Sequence, residues 1–156
     1  MVKKTPPRKC ISWDECFMRI AHTISERSKD PVTHVGAVVV TPENIVLGLG
    51  YNGWPRGIPN SALPWGKVGE FEDTKYAYMC HAEENAIYNA NNSTKNCTMY
   101  SVLFPCNECA KTIIQNGIKE VIYESDKYDG TPSVKASKKM MRLAGIKFRQ
   151  YKSSYK

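Results

Sequence analysis

Behind Ser12 the apolar residues Phe17, Ile20, Ala21 and Ile24 recur at helical spacing. Ser12-Trp13-Asp14-Glu15 places Ser at the N-cap and Glu three residues later, a capping box. Together they predict a helix running to about Ser28, broken by Asp30-Pro31. The pattern then changes. Residues 35–41 are apolar and rich in β-branched side chains, and residues 44–51 form a second such run after the turn Pro42-Glu43-Asn44, predicting an antiparallel hairpin. Residues 52–79 show no sustained period and carry Gly53, Pro55, Gly57, Pro59, Pro64 and Gly66; so long a loop in a compact domain usually serves function. Beyond it come a helix over 82–90 stopped by Asn91-Asn92, a strand over 97–104, and a helix over 106–115 closed by Asn116-Gly117. A strand over 120–124, a helix over 133–143 ended by Gly145, and a strand over 146–151 follow. This order predicts an α/β three-layer sandwich, a mixed five-stranded sheet with helices on both faces. Residues 12–156 are expected to form one domain behind a flexible tail, residues 1–11, where Pro6-Pro7 blocks helix.

Composition narrows the class. A chain of 156 residues with 42% apolar content suits one ordinary domain. No run approaches the ~20 apolar residues of a membrane span, and no apolar segment follows the basic N-terminal residues as in a signal peptide. The expectation is a cytoplasmic protein without membrane contact. Cys10, Cys16, Cys80, Cys97, Cys106 and Cys109 could form disulfides, yet without an export signal a Cys-x-x-Cys reads as metal-binding or redox-active. The net charge of +7 is compatible with a polyanionic partner, a nucleic acid or a phosphorylated small molecule. The basic residues are scattered, which favours simple solubility.

The chemistry is concentrated in Cys80-His81-Ala82-Glu83 and Pro105-Cys106-Asn107-Glu108-Cys109. Cys106 and Cys109, three apart at the start of a helix, share one face and can reach one ion. His81 and Glu83 are two apart and would splay on a regular helix; with His81 at the helix start, it can bind metal while Glu83 faces an open coordination position. One imidazole and two thiolates hold zinc with that fourth position free, the catalytic pattern. Glu83 is then placed to carry a proton between water and a substrate nitrogen. Other readings are a structural zinc half-site and a redox-active Cys-x-x-Cys; Cys10, Cys16, Cys80 and Cys97 read as plain buried or surface thiols. His-x-Glu followed by Pro-Cys-x-x-Cys is the signature of zinc deaminases, in which the Glu is not a ligand.

Longer segments resemble the deoxycytidylate (dCMP) deaminase family. They are Cys80-His81-Ala82-Glu83-Glu84-Asn85-Ala86-Ile87, Phe104-Pro105-Cys106-Asn107-Glu108-Cys109-Ala110-Lys111 and Gly50-Tyr51-Asn52-Gly53-Trp54-Pro55-Arg56-Gly57. Shorter ones are Glu26-Arg27-Ser28-Lys29-Asp30-Pro31, Leu63-Pro64-Trp65, Asp73-Thr74-Lys75-Tyr76 and Ser125-Asp126-Lys127-Tyr128. The resemblance runs from about Trp13 to Tyr151. It implies a cytidine deaminase-like fold and conversion of dCMP and water to dUMP and ammonia, supplying thymidylate synthesis. It also implies a homohexamer, activated by dCTP and inhibited by dTTP with Mg2+.

By that resemblance His81, Cys106 and Cys109 bind zinc and Glu83 shuttles protons. The Ala82 N–H meets the cytosine O2, the Pro105 carbonyl accepts from the amino group, Asn52 bonds the deoxyribose hydroxyl, and Tyr128 packs by the base or sugar. Ser28 and Lys29 are the candidates for the phosphate. Gly50, Tyr51, Asn52, Gly53, Trp54, Arg56 and Gly57 are expected to form the effector nucleotide loop, because glycines let backbone amides approach phosphate. Some phage relatives bind a second zinc through Cys and His in the long loop; residues 53–79 contain neither, so one zinc per chain is expected. Three alternatives stand beside this reading: deamination of both dCTP and dCMP, a polynucleotide deaminase acting on tRNA or single-stranded DNA, and a zinc protein without activity. No basic-and-aromatic stacking run supports nucleic acid as a partner.

Overall fold

The computed structural model describes residues 6–152. Residues 6–11 are exposed and belong to no helix or strand; residues 1–5 of the expected tail lie outside the described residues. Helix α1 spans Trp13–Ser25, strands β1 and β2 span Gly36–Val40 and Val46–Tyr51, and the long loop holds two short 3-10 turns, Phe71–Asp73 and Lys75–Ala77. Then come α2 (Ala82–Tyr88), β3 (Thr98–Leu103), α3 (Asn107–Gln115), β4 (Glu120–Ser125), α4 (Pro132–Leu143) and β5 (Lys147–Gln150). The predicted order of elements is the observed one.

The termini follow local chemistry. The Glu15 N–H donates to Ser12 Oγ at 3.2 Å, as a capping box requires. Glu15 does not reach back to the Ser12 backbone; its carboxylate accepts from Arg19 and from the Tyr151 hydroxyl instead. Helix α1 ends three residues before the expected Ser28 because Glu26, Arg27 and Ser28 donate to carbonyls three residues back, tightening the last turn. Gly117, in the left-handed region at φ 70°, closes α3: its N–H donates to Ile114 O and the Ile118 N–H to Ile113 O.

The sheet order is β2-β1-β3-β4-β5. Strand β1 runs antiparallel to β2 and β3, whereas β3, β4 and β5 are parallel. Alternate residues divide the core between two faces. Ala37, Val39, Met99 and Val121 pack with Ala86, Ile113 and Met141 of α2, α3 and α4. Val38, Val40, Tyr100 and Ile122 pack with Phe17, Met18 and Ala21 of α1. The result is the expected three-layer sandwich, with three helices on one face and one on the other.

Helix α2 lies unusually close to β2. A Cβ at Gly48 would sit 2.1 Å from Ala86 O, and one at Gly50 would sit 2.2 Å from both Ala82 O and Ala86 N. The opposing helix residues are Ala82 and Ala86, both fully buried. Small residues on both sides thus let backbone meet backbone, which sets where the N-terminus of α2 arrives.

Candidate active site

His81 caps α2 in extended conformation (φ −82°, ψ 157°), outside the regular helix, while Glu83 is the second helical residue. That break in geometry removes the splay expected of two residues on one helix. Cys106 caps α3 in the same way, and Cys109 lies one turn inside it. The two helix starts converge: His81 Nδ1 is 3.2 Å from Cys109 Sγ and 3.4 Å from Cys106 Sγ. The three ligand atoms lie within 4.8 Å of one another. Ligands 2.0–2.3 Å from a tetrahedral zinc stand about 3.5 Å apart, so this donor set fits the ion.

The three ligand groups, packed this closely, set one another's protonation. The Cys109 thiol and the His81 imidazole, acting against burial, bring the Cys106 thiol down to about 4. The hydrogen bond to Cys106, also against burial, raises His81 to about 9. Cys109 is pushed well above its ordinary value by donating to Cys106 and by burial. Among the described residues no other His, Cys, Asp or Glu group of this kind occurs.

Glu83 is 4% exposed. Ser101 Oγ donates to its Oε1 at 3.3 Å, and the Cys109 thiol lies 3.6 Å from its Oε2. Burial pushes the carboxyl above its ordinary value, which suits a group that must both take and return a proton. Glu84 holds the turn from outside, accepting from the His81 N–H at 3.5 Å and from Thr112 Oγ1 at 3.4 Å.

A cleft of about 490 Å3 opens onto these residues, within the range of small-ligand sites. His81, Ala82, Glu83, Cys106, Asn52 and Tyr128 all line it. Asn52 is buried, and its amide is largely committed: Oδ1 accepts from the Val35 N–H and Nδ2 donates to Thr33 O, each at 2.9 Å. Tyr128 is half-exposed, with the Lys127 ammonium 4.9 Å from its ring centre.

Ser28, Lys29 and Pro105 do not line the cleft. Pro105 is buried. Ser28 Oγ donates to Asn52 O at 2.9 Å and accepts from the Asp30 N–H at 3.3 Å, so it braces the turn after α1. Lys29 is exposed to solvent.

Several groups of the expected effector run already have partners inside the protein. Gly50 is buried within β2, paired with Ala37, and its missing side chain makes room for α2. The Asn52 N–H donates to Val35 O at 3.3 Å and the Gly53 N–H to Cys80 O at 3.1 Å. The backbone of Gly50, Asn52 and Gly53 is therefore already engaged within the protein. Tyr51 is half-exposed and its carbonyl accepts from Asn85. Trp54 packs against Trp65 with ring centres 4.1 Å apart and planes tilted by 32°, Arg56 donates to Asn89, and Gly57 sits in open space at φ 86°.

Three features escape the sequence reading. Ser101 was within reach of it: along Met99, Ser101 and Leu103 it is the one polar residue on an apolar strand face, and it meets Glu83. The buried ion pair between Lys75 and Asp30, and the cleft position of Lys67, come from the aperiodic loop and have no local signature.

Comparison with known proteins decides the family. Residues 11–125 match the family described as the cytidine and deoxycytidylate deaminase zinc-binding region. The chain belongs to this family. It is 50% identical over 147 residues to the deoxycytidylate deaminase of Mus musculus, covering 93% of this chain and 83% of that one. It is likewise 50% identical over 143 residues to the deoxycytidylate deaminase of Homo sapiens, covering 90% and 80%. Its fold is that of a dCMP deaminase from the cyanophage S-TIM5 solved with dCMP and dUMP, at TM-score 0.70 and 24% identity over 88% of this chain and 95% of that one.

Proposed function

We propose that this chain hydrolyses dCMP to dUMP and ammonia. The observation that carries the reading is Glu83, buried and oriented beside the His81, Cys106 and Cys109 triad at the edge of a nucleotide-sized cleft. Relatives of half-identical sequence named deoxycytidylate deaminases support the substrate.

His81, Cys106 and Cys109 would hold one zinc per chain. When bound, the ion supplies a Lewis acid that makes water nucleophilic near neutral pH. Glu83 takes one proton of the attacking water to the pyrimidine ring nitrogen and then carries the second, from the hydroxyl formed at the attacked carbon, to the amino group, which leaves as ammonia as the carbonyl of dUMP forms. Ser101 keeps the Glu83 carboxylate aimed during both transfers. The Ala82 N–H, at the first turn of α2, is placed to donate to the base carbonyl, and the Pro105 carbonyl is assigned the amino group. Asn52, held by Val35 and Thr33, would turn the second hydrogen of its amide from the weak acceptor Met79 Sδ, 4.0 Å away, to the sugar. Tyr128 packs against the sugar or base.

For regulation, the reading keeps dCTP as activator and dTTP with Mg2+ as inhibitor. It rests on Trp54, Arg56 and Gly57 of the original run, where the buried Trp54 indole N–H has no partner among the described residues. The assembly proposed is a homohexamer in the cytoplasm; no helix among the described residues is long and apolar enough to cross a membrane. The test is ultraviolet loss on dCMP, cytidine, dCTP and an oligonucleotide, with dCTP or dTTP plus Mg2+ added to the dCMP arm. Turnover of dCMP is expected, raised by dCTP and lowered by dTTP; activity confined to the oligonucleotide would overturn the reading.

A further inference from the structure

The charge inventory of the cleft leaves one cation uncommitted among the described residues. Lys75 lines the cleft, but its ammonium is bound to the buried carboxylate of Asp30, so the pair is neutral. Glu108 is matched by Lys111 at 2.6 Å. The imidazole and thiols of the metal triad and the Glu83 carboxyl are taken up by metal binding and proton transfer. Lys67 is exposed, lines the cleft, and has no hydrogen-bond or ion-pair partner among the described residues. Ser28 and Lys29, the residues that the chain's pattern offers for phosphate, lie outside the lining.

The backbone on either side of Lys67 is fastened. Gly66 O accepts from the Lys75 N–H at 2.9 Å. Trp65 packs at a tilt against Trp54, ring centres 4.1 Å apart, and its indole N–H donates to Asn60 O at 3.0 Å. Lys67 thus sits on a braced loop at the wall of a cleft whose other lysine is neutralised.

We propose that Lys67 is the residue that selects a phosphorylated substrate, engaging the 5′-phosphate of dCMP and so separating the nucleotide from its nucleoside. A dianionic phosphate attracts the ammonium both as a steering charge and as a charge-assisted hydrogen-bond acceptor. The nucleoside lacks that group and gains nothing from Lys67. This inference rests on the deamination reading of the same site.

The experiment compares wild type, Lys67→Met and Lys67→Arg, loaded with zinc, on dCMP and deoxycytidine, and measures binding of dUMP and deoxyuridine by calorimetry. In Lys67→Met, KM for dCMP and Kd for dUMP are expected to rise about 10- to 100-fold, the range for a lost hydrogen bond to a charged group. Deoxycytidine turnover and deoxyuridine binding should stay within about twofold. Lys67→Arg should recover most of the nucleotide affinity, and raising salt should weaken dCMP binding less in Lys67→Met than in wild type. Equal losses on nucleotide and nucleoside, or no loss on either, would overturn the role of Lys67. Absence of dCMP turnover in the zinc-loaded wild type would instead overturn the deamination reading.

Discussion

Lys75 donates its ammonium to Asp30 Oδ2 inside the protein, where the two side chains are only 5% and 1% exposed. Asp30 Oδ1 accepts from the N–H groups of Val32 and Thr33 at 2.9 and 3.0 Å. Thr33 O in turn accepts from Asn52 Nδ2. One buried contact therefore ties the long loop to the turn that orients Asn52. Lys75→Met leaves an unpaired carboxylate in the interior, at a cost of about 3–5 kcal/mol. In a domain of this size the melting temperature should fall by on the order of 10 °C. The double variant Asp30→Asn, Lys75→Met removes the stranded charge and should recover much of the loss. Thermal unfolding of the three proteins checks this, and equal losses in the single and double variants would refute it.

Asp30 also makes part of the stability depend on pH. Burial pushes its carboxyl upward, but the hydrogen bonds from Lys75, Val32 and Thr33 outweigh burial and hold it below its ordinary value. A depressed folded value means the ionised form contributes stability above the unfolded value of about 3.9, a contribution lost as pH falls through the folded value. Urea unfolding should show wild type well above Asp30→Asn at pH 7, with the gap narrowing as pH drops below about 3.9. A gap of constant width would show that the charge of Asp30 contributes nothing.

Gly50→Ala separates packing from effector binding. The new methyl would meet Ala82 O and Ala86 N at 2.2 Å, both backbone atoms of the helix that begins at the metal site. The variant should lose about 1–3 kcal/mol or more, and it should bind zinc less well because α2 is displaced. Zinc content by metal analysis and unfolding in urea are the measurements. A variant of normal stability and zinc content that only fails to respond to dCTP would restore Gly50 to the effector site.

Glu83→Gln keeps size and hydrogen bonding while removing the proton carrier. Turnover of dCMP should fall about 10²-fold or more, with zinc content unchanged because Glu83 is not a ligand. Ser101→Ala should act more mildly, reducing kcat by a few-fold through a less well oriented Glu83, since a neutral hydrogen bond contributes about 1 kcal/mol. Turnover preserved in Glu83→Gln would remove Glu83 from its assigned role.

Zinc removal gives the last check. Chelation should abolish dCMP turnover, and added zinc should restore it. The folded chain should also melt at lower temperature without the ion, because binding to the native state alone shifts the folding equilibrium. Activity that survives in protein shown to be metal-free would exclude the proposed chemistry.

Much of this molecule is written in short stretches of chain. Alternation along β1 and β3 divides the apolar residues between two faces, and Ser12 and Gly117 mark helix ends, because each of these effects acts within a few residues. The grouping of His81, Cys106 and Cys109 was equally legible, the two cysteines from their spacing at a helix start and His81 from its place beside Glu83 in a His-x-Glu run. What the chain alone could not assign were partners distant in sequence. Gly50 read as a phosphate-loop glycine until α2 was seen against it. The exposure of Lys29 and the bracing of Asn52 by Ser28 Oγ were equally out of reach of the chain alone. Asp30 and Lys75 are 45 residues apart, and neither helical nor strand periodicity relates them.

The sequence by itself thus determined the layered α/β architecture and the atoms of the reactive centre, because caps, periodicity and ligand spacing are local. Only the tertiary structure decided that Lys75 is paired inside the protein with Asp30, which glycine makes room for a helix, and how Asn52 is held. Those outcomes depend on closing loops and burying charges against distant partners, energies that no window of neighbouring residues contains.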